Sequence, residues 1–350
     1  MTTQTLTAEN PMPKTAPSMG SSTDSTPSEG TVKKQRFYYK NVGDLKHRLA
    51  AEIPRQELRD LHKVDAKRHF MVAGRHFAFF GLCAWALWQT RWPWLWPIAA
   101  ILQGFNLLGF LILVHEQVHK IIFAKSRPRL ERFLGLLYAA PTGISISQFS
   151  RWHLDHHNEL GHAEHDPKRA HLSPKKNNRL LKFLYMTPAL FVIYARASRQ
   201  EAKTYPAELQ RTIGFERMLS AMAHLSVMGA LLYFGGVWEM VRVHTIPVFF
   251  MFPPIFVLNR LGQHYDIDVN DPAKWSTLVN GNPVWHFLFL WSNFHIEHHY
   301  YQRIPFYNLK KANRKLQDFY GRTGLKNHTY TGMVWGWLVH NKEAHTDWEG

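Results

Sequence analysis

Apolar and polar positions alternate along this chain on two scales. On the longer scale, four apolar stretches, 71–89, 98–114, 218–236 and 243–259, come in two close pairs. Each stretch approaches the ~20 residues an α-helix needs to cross hydrocarbon. Short turns join the members of each pair. Trp92-Pro93-Trp94-Leu95-Trp96-Pro97 sets prolines between tryptophans of the kind found at a water–lipid boundary, and Gly235 to Arg242 forms the other turn. The pattern predicts two hairpins of membrane spans. Pro247, Pro253 and Pro254 make the fourth span imperfect, which a membrane helix tolerates.

On the shorter scale, Leu45, Leu49, Ile53, Leu58 and Leu61 stripe the charged segment 44–69, predicting a surface or interfacial helix before the first span. The runs 133–149 and 183–195 are interrupted by Pro141, Gly143 and Pro188 and flanked by basic residues. They are expected to be interfacial or buried helices rather than spans. The run 283–294 is too short to span and should dock on the membrane. The aromatic stretch Val334 to Leu338 suits packing on either a polar cap or the membrane. The fold class that follows is all-α, an integral membrane protein with four transmembrane helices in two hairpins and a helical cap. Residues 1–36, rich in Ser, Thr and Pro at their start, read as a disordered tail. Residues 37–320 form the membrane domain and 321–350 a C-terminal extension.

Charge orients this arrangement. The two hairpin turns hold only Arg91 and Arg242, whereas residues 115–217 carry 17 Lys and Arg, so the cap is expected on the cytosolic side. The net charge of +16 could serve nucleic acid or an anionic membrane surface. Aromatic residues in apolar runs and the lack of a nucleic-acid motif favour the membrane. Cys83 is the only cysteine, which excludes a disulfide framework, a cysteine zinc site and a built-in iron–sulfur cluster. The N-terminal 30 residues have no apolar core and are not a secretory signal; the first span can direct insertion itself.

The candidate chemistry lies in three histidine clusters: His115-Glu116-Gln117-Val118-His119, His153-Leu154-Asp155-His156-His157 and His295-Ile296-Glu297-His298-His299. On a helix, i, i+3 and i+4 share a face, so each cluster offers its imidazoles in one direction, as metal ligands must be offered. Eight such rings suffice for two metal ions. Imidazole suits iron, zinc, copper and nickel alike. His115 to His119 also reads literally as HExxH, the zinc-protease signature with Glu116 as general base. That alternative leaves six clustered histidines without a task. Two hairpins of spans put all three clusters on one side of the membrane, an agreement independent of ligand spacing. The histidines outside the clusters, such as His69, His76, His224, His244 and His286, read as ordinary surface or core residues.

An HxxxH box followed by two HxxHH boxes, with transmembrane hairpins between them, resembles the membrane fatty acid desaturase superfamily over roughly residues 70–310. The third box, Asn293-Phe294-His295 to His299 followed by Ile304-Pro305-Phe306-Tyr307-Asn308-Leu309, is especially similar to that of bacterial and acyl-lipid desaturases. The resemblance implies a di-iron site with no bridging carboxylate, O2 as co-substrate and removal of two hydrogens from an acyl chain carried as an acyl-lipid or acyl-CoA. It implies a further ligand between the last span and the third box, where His264 stands. His162 and His165 follow the second box as lesser candidates. Metal-bound histidine usually donates its other N–H to a carboxylate or amide, which makes Glu116, Asp155, Asp166, Asn293 and Glu297 candidate supporting groups. With no cytochrome b5-like segment, electrons would come from an external donor, ferredoxin or cytochrome b5 with a reductase. A bacterial inner membrane is the implied location. Hydroxylation or ketolation of a lipid or alkane is the alternative within the same superfamily.

Overall fold

The computed structural model describes residues 36–89, 94–162, 164–168, 174 and 176–342. The N-terminal tail, Arg91, Trp92 and Pro93 of the first hairpin turn, and the last eight residues lie outside the described residues.

Helices dominate. Three short ones, α1 (Phe37–Asn41), α2 (Gly43–Ala50) and α3 (Arg55–Leu61), precede two long antiparallel helices, α4 (Ala66–Gln89) and α5 (Leu95–Val118). Next come α6 (Pro128–Ala139), α7 (Ile146–Glu159), α8 (Arg179–Tyr185) and α9 (Ala189–Ala202). A second long pair follows, α10 (Ala207–Gly235) and α11 (Val237–His264). The chain closes with α12 (Pro283–Leu288), α13 (His295–Tyr300), α14 (Phe306–Lys315), α15 (Gln317–Thr323) and α16 (Tyr330–Val334). One two-stranded parallel ladder, Leu278–Val279 with Asn327–His328, adds a small β element that the all-α expectation lacks.

Four helices, α4, α5, α10 and α11, are long and apolar enough to cross a membrane, and they form the two expected hairpins. All four run beyond the apolar stretches, because backbone hydrogen bonding continues past the point where hydrocarbon contact stops. In their most apolar stretches, 78% of α5 is buried against 6% of α10. α5 is therefore the central post, packed by α4, α6 and α11, while α10 turns Met222, Leu225, Val227 and Phe234 outward as a lipid-facing surface would.

The fourth span is continuous despite its prolines. It widens into two π-helical turns, Val241–Thr245 and Pro247–Met251, around positions where proline supplies no N–H. Arg242 consequently lies inside α11 rather than in a loop, and its Nη2 donates to the Trp88 carbonyl at 2.8 Å. The tips of the two hairpins thus meet at one end, and the histidine-bearing ends of α5 and α11 lie at the other. The run 183–195 is divided between α8 and α9, which bend by 86° at their junction.

The segment 44–69 differs from the expected single interfacial helix. Pro54 breaks it, and Leu45, Leu49, Ile53 and Leu61 are buried in one cluster with Ile304, Phe306, Leu309, Leu316 and Phe319. The stripe therefore packs on the third-box region instead of on lipid. A second cluster joins Leu108, Leu111, Phe252 and Leu261 to Phe289, Tyr330, Met333 and Trp337, so Trp337 of the C-terminal aromatic stretch packs into the protein while Trp335 stays exposed. Lys182 Nζ secures it by donating to the Trp337 carbonyl at 2.7 Å.

The first hairpin depends on a close approach. A Cβ on Gly109 of α5 would lie 2.2 Å from His76 Cε1 of α4. His76 cannot withdraw freely, since its Nε2 pairs with the Asn106 carbonyl at 2.9 Å. Gly109→Val is expected to cost about 1–3 kcal/mol by overpacking, read as a lowered Tm of the purified protein in detergent.

Candidate metal centre

Each histidine box occupies a helix that the local sequence starts or strains into place. His115 lies in the last turn of α5, with His119 at its C-cap. Gly143, at φ 70°, ends the turn before α7, and Ser145 caps α7 by accepting from the Gln148 N–H. That helix carries His153, His156 and His157. His264 is the last residue of α11. Ahead of α13, Leu290 and Trp291 both adopt left-handed conformations, at φ 44° and 60°. For side-chain-bearing residues this is strained and persists only where surroundings enforce it. Burial of Leu290 and a 3.0 Å hydrogen bond from the Trp291 N–H to the His286 carbonyl do so here.

The nine predicted ligands form two groups, each with its ligand atoms within 4.8 Å of one another: His115, His119, His153, His157 and His298 in one, and His156, His264, His295 and His299 in the other. In the first, Nε2 atoms approach at 3.1 Å (His115 to His298), 2.7 Å (His119 to His153), 2.9 Å (His153 to His157) and 3.0 Å (His157 to His298). In the second the approaches are 3.1 Å from His264 to both His156 and His295, and 3.0 Å between His295 and His299. The boxes do not stay whole. In both HxxHH boxes the i, i+4 pair shares a group and the i+3 histidine crosses to the other.

These distances fit metal binding. Imidazole nitrogens bound about 2.0–2.1 Å from a transition metal, at right angles to one another, lie roughly 2.9 Å apart. Without a cation, so many converging nitrogens would bring lone pairs or N–H groups against each other. The tautomers agree where their partners are visible. His156 Nδ1 donates to Asp166 Oδ1 at 2.9 Å, and His264 Nδ1 donates to the Trp275 carbonyl at 2.9 Å, which leaves both Nε2 lone pairs facing the cluster. Burial, reinforced by neighbouring imidazoles and, for all but His157, by Lys168, holds His153, His156, His157, His295, His298 and His299 well below the usual histidine range. They are neutral near pH 7, the form that coordinates.

The supporting groups divide. Glu116 lies 3.5 Å from His115 Nδ1 and accepts the Phe306 N–H at 3.0 Å, tying the first box to α14. It stands behind a ligand, an arrangement unlike that of a protease base. Glu297 is buried, accepts from Tyr320 Oη at 2.5 Å and Asn313 Nδ2 at 2.6 Å, and is pushed up to about 7 by burial. Asp155 accepts from Arg151 Nε at 2.9 Å, and Asn293 donates to His286 at 3.2 Å. His162 and His165 stack on each other, ring centroids 4.0 Å apart, outside both groups. Sequence reasoning missed the Trp275 carbonyl and the glycine that makes room for its ring: Gly161, at φ 94°, would bring a Cβ to 2.7 Å from the indole. The glycine four residues after the second box was the available signal.

One cavity of about 490 Å³ opens on both groups, reaching His115 and His153 of the first and His295 of the second. Its walls are mainly apolar, with Leu108, Leu111, Phe191, Phe252 and Phe256 among them.

Two substitutions test the supports. Asp166→Asn and Gly161→Ala are each expected to weaken metal retention about 10- to 100-fold, as loss of groups orienting a ligand does. The check is bound metal after titration with a chelator.

The profile of the family described as fatty acid desaturase matches residues 90–331. Among curated relatives, a sphingolipid delta(4)-desaturase DES1 of Drosophila melanogaster is 23% identical over 282 residues, covering 77% of this chain and 80% of that protein. The sphingolipid delta(4)-desaturase/C4-monooxygenase DES2 of Homo sapiens is 21% identical, over 73% of this chain and 76% of its own length. A putative sphingolipid delta(4)-desaturase/C4-monooxygenase of Caenorhabditis elegans is 22% identical, over 78% and 72%. The match takes in all three histidine boxes, both histidine groups and the walls of the cavity, and the chain belongs to the fatty acid desaturase family.

Proposed function

We propose that this chain is a membrane-bound, oxygen-dependent di-iron desaturase that introduces a C=C bond into an acyl chain carried as an acyl-lipid or acyl-CoA. The observation that carries this reading is the apolar cavity shared by the two histidine groups. His115, His119, His153, His157 and His298 would hold one iron, and His156, His264, His295 and His299 the other. Iron with O2 supplies, when bound, the oxidising power that an unactivated methylene requires and that no acid–base side chain provides.

The chain's own residues do the positioning. Leu108, Leu111, Phe252 and Phe256 grip hydrocarbon along the cavity and exclude water from the reacting carbons. Asp166 and the Trp275 carbonyl fix the tautomers of His156 and His264. Glu116 and Glu297 anchor the first and third boxes to α14 and α15. Electrons arrive from an external carrier, ferredoxin or cytochrome b5 with a reductase, at the basic cap; the Lys and Arg bias of the connections supports a cytosolic cap.

A second reading, hydroxylation at the same site, is favoured by the relatives whose names join desaturase to C4-monooxygenase. Both outcomes begin with hydrogen removal and differ in whether a second hydrogen leaves or an oxygen is retained. Expression in a host lacking the activity, followed by lipid mass spectrometry, is expected to give a product lighter by two hydrogens; a product heavier by one oxygen would favour the hydroxylase. His157→Ala and His298→Ala are each expected to abolish that product and lower bound iron. Full iron content with full activity in either variant would overturn the ligand assignment.

A further inference from the structure

The cavity wall holds a charge that the proposed chemistry does not use. Arg260 lies on α11, one helical turn before His264, and is 6% exposed. Its Nε and Nη2 are buried and meet no acceptor, yet the side chain lines the cavity. Arginine cannot relieve such burial by losing its proton, so an unpaired guanidinium is among the costliest groups to leave inside a protein. Lys168 lines the same cavity, as do Arg199 and Arg217. Arg217 is partly engaged, donating to Ser198 Oγ at 2.8 Å and to Gln148 Oε1. Among the described residues no Asp or Glu lines the cavity. The nearest acid to Lys168 in sequence, Asp166, accepts from His156 and from the Lys168 backbone N–H, and its charge offsets part of the burial of the Lys168 ammonium.

We propose that Arg260, backed by Lys168, is an anion-binding subsite within the cavity that receives a carboxylate or phosphate oxygen at the polar end of the substrate. The guanidinium fork suits either group, since both offer two coplanar oxygens to paired N–H donors. The apolar walls take the chain. The subsite rests on the reading of the cavity as the acyl site and narrows its substrate to an anionic amphiphile, in preference to a neutral lipid. One turn of α11, about 5.4 Å of rise, separates Arg260 from His264, so the anchored end would lie close to the metal groups.

The test uses the full chain in a neutral maltoside detergent. Nitroxide-labelled stearate, the matching lysophosphatidic acid and the methyl ester of the labelled stearate are titrated while tryptophan fluorescence is followed; Trp152 lies in the cavity wall. At least one anionic probe is expected to bind tenfold or more tightly than the ester. The tighter of the two identifies carboxylate or phosphate as the source of the oxygen. R260Q and K168Q should reduce that preference, R260Q to near unity, while R260K retains most of it. Metal content and Tm, measured on each variant, show whether the fold and the metal groups persist; should R260Q not fold, K168Q and R260K carry the comparison. Binding of both anionic probes no tighter than the ester by the wild type, or an undiminished preference in the folded variants, would overturn the subsite and leave the acyl cavity standing. Quenching by none of the probes would overturn the acyl reading itself.

Discussion

Nine imidazoles pointing their Nε2 atoms at two small volumes are the constraint around which the rest of the molecule is arranged. Two neutral rings about 3 Å apart can share one N–H···N hydrogen bond, but four or five Nε2 atoms converging on one volume cannot all be satisfied in pairs. Their convergence has to be imposed by the protein and repaid by a cation. The imposition is visible at three of the four histidine-bearing helices: the capped start of α7, the strained residues ahead of α13, the carboxylates of Glu116 and Glu297 holding their boxes to the cap, and the central placement of α5.

The membrane hairpins and the cap divide this labour. α5 and α11 deliver His115, His119 and His264 from their ends, where the helices leave the apolar region. The cap supplies the remaining six on two short helices, whose own length gives little stability. Packing compensates: the N-terminal helices close over α14 and α15, and the Tyr38 hydroxyl donates to the His299 carbonyl at 2.9 Å. The early part of the chain thereby steadies the last histidine box, over a separation of more than two hundred residues.

Much of this was legible from residues alone. Hydropathy located the hairpins, because lipid contact demands long apolar runs, and helical spacing gathered the boxes. What stayed hidden needed the third dimension. No spacing rule says that His156 and His298 leave their own boxes, since the choice depends on where the partner helix sits. The Trp275 carbonyl carries no side-chain signature. The stripe from Leu45 to Leu61 looked suited to lipid because apolar periodicity does not name the surface it meets. The π turns of α11 were masked by prolines that read as weaknesses. Arg260 follows the last apolar stretch directly and carries no motif; its burial without a partner sets it apart.

The crossing of the boxes also bears on how the centre is built during synthesis. Before the third box exists, the first group already has four of its five histidines, all on α5 and α7, whereas the second has only His156 and His264. A nascent chain with both hairpins inserted can therefore offer one nearly complete coordination shell and one that is half made. In chain order, then, the first group is nearly complete before the third box, whereas the second takes half of its histidines from the six-residue helix that carries that box.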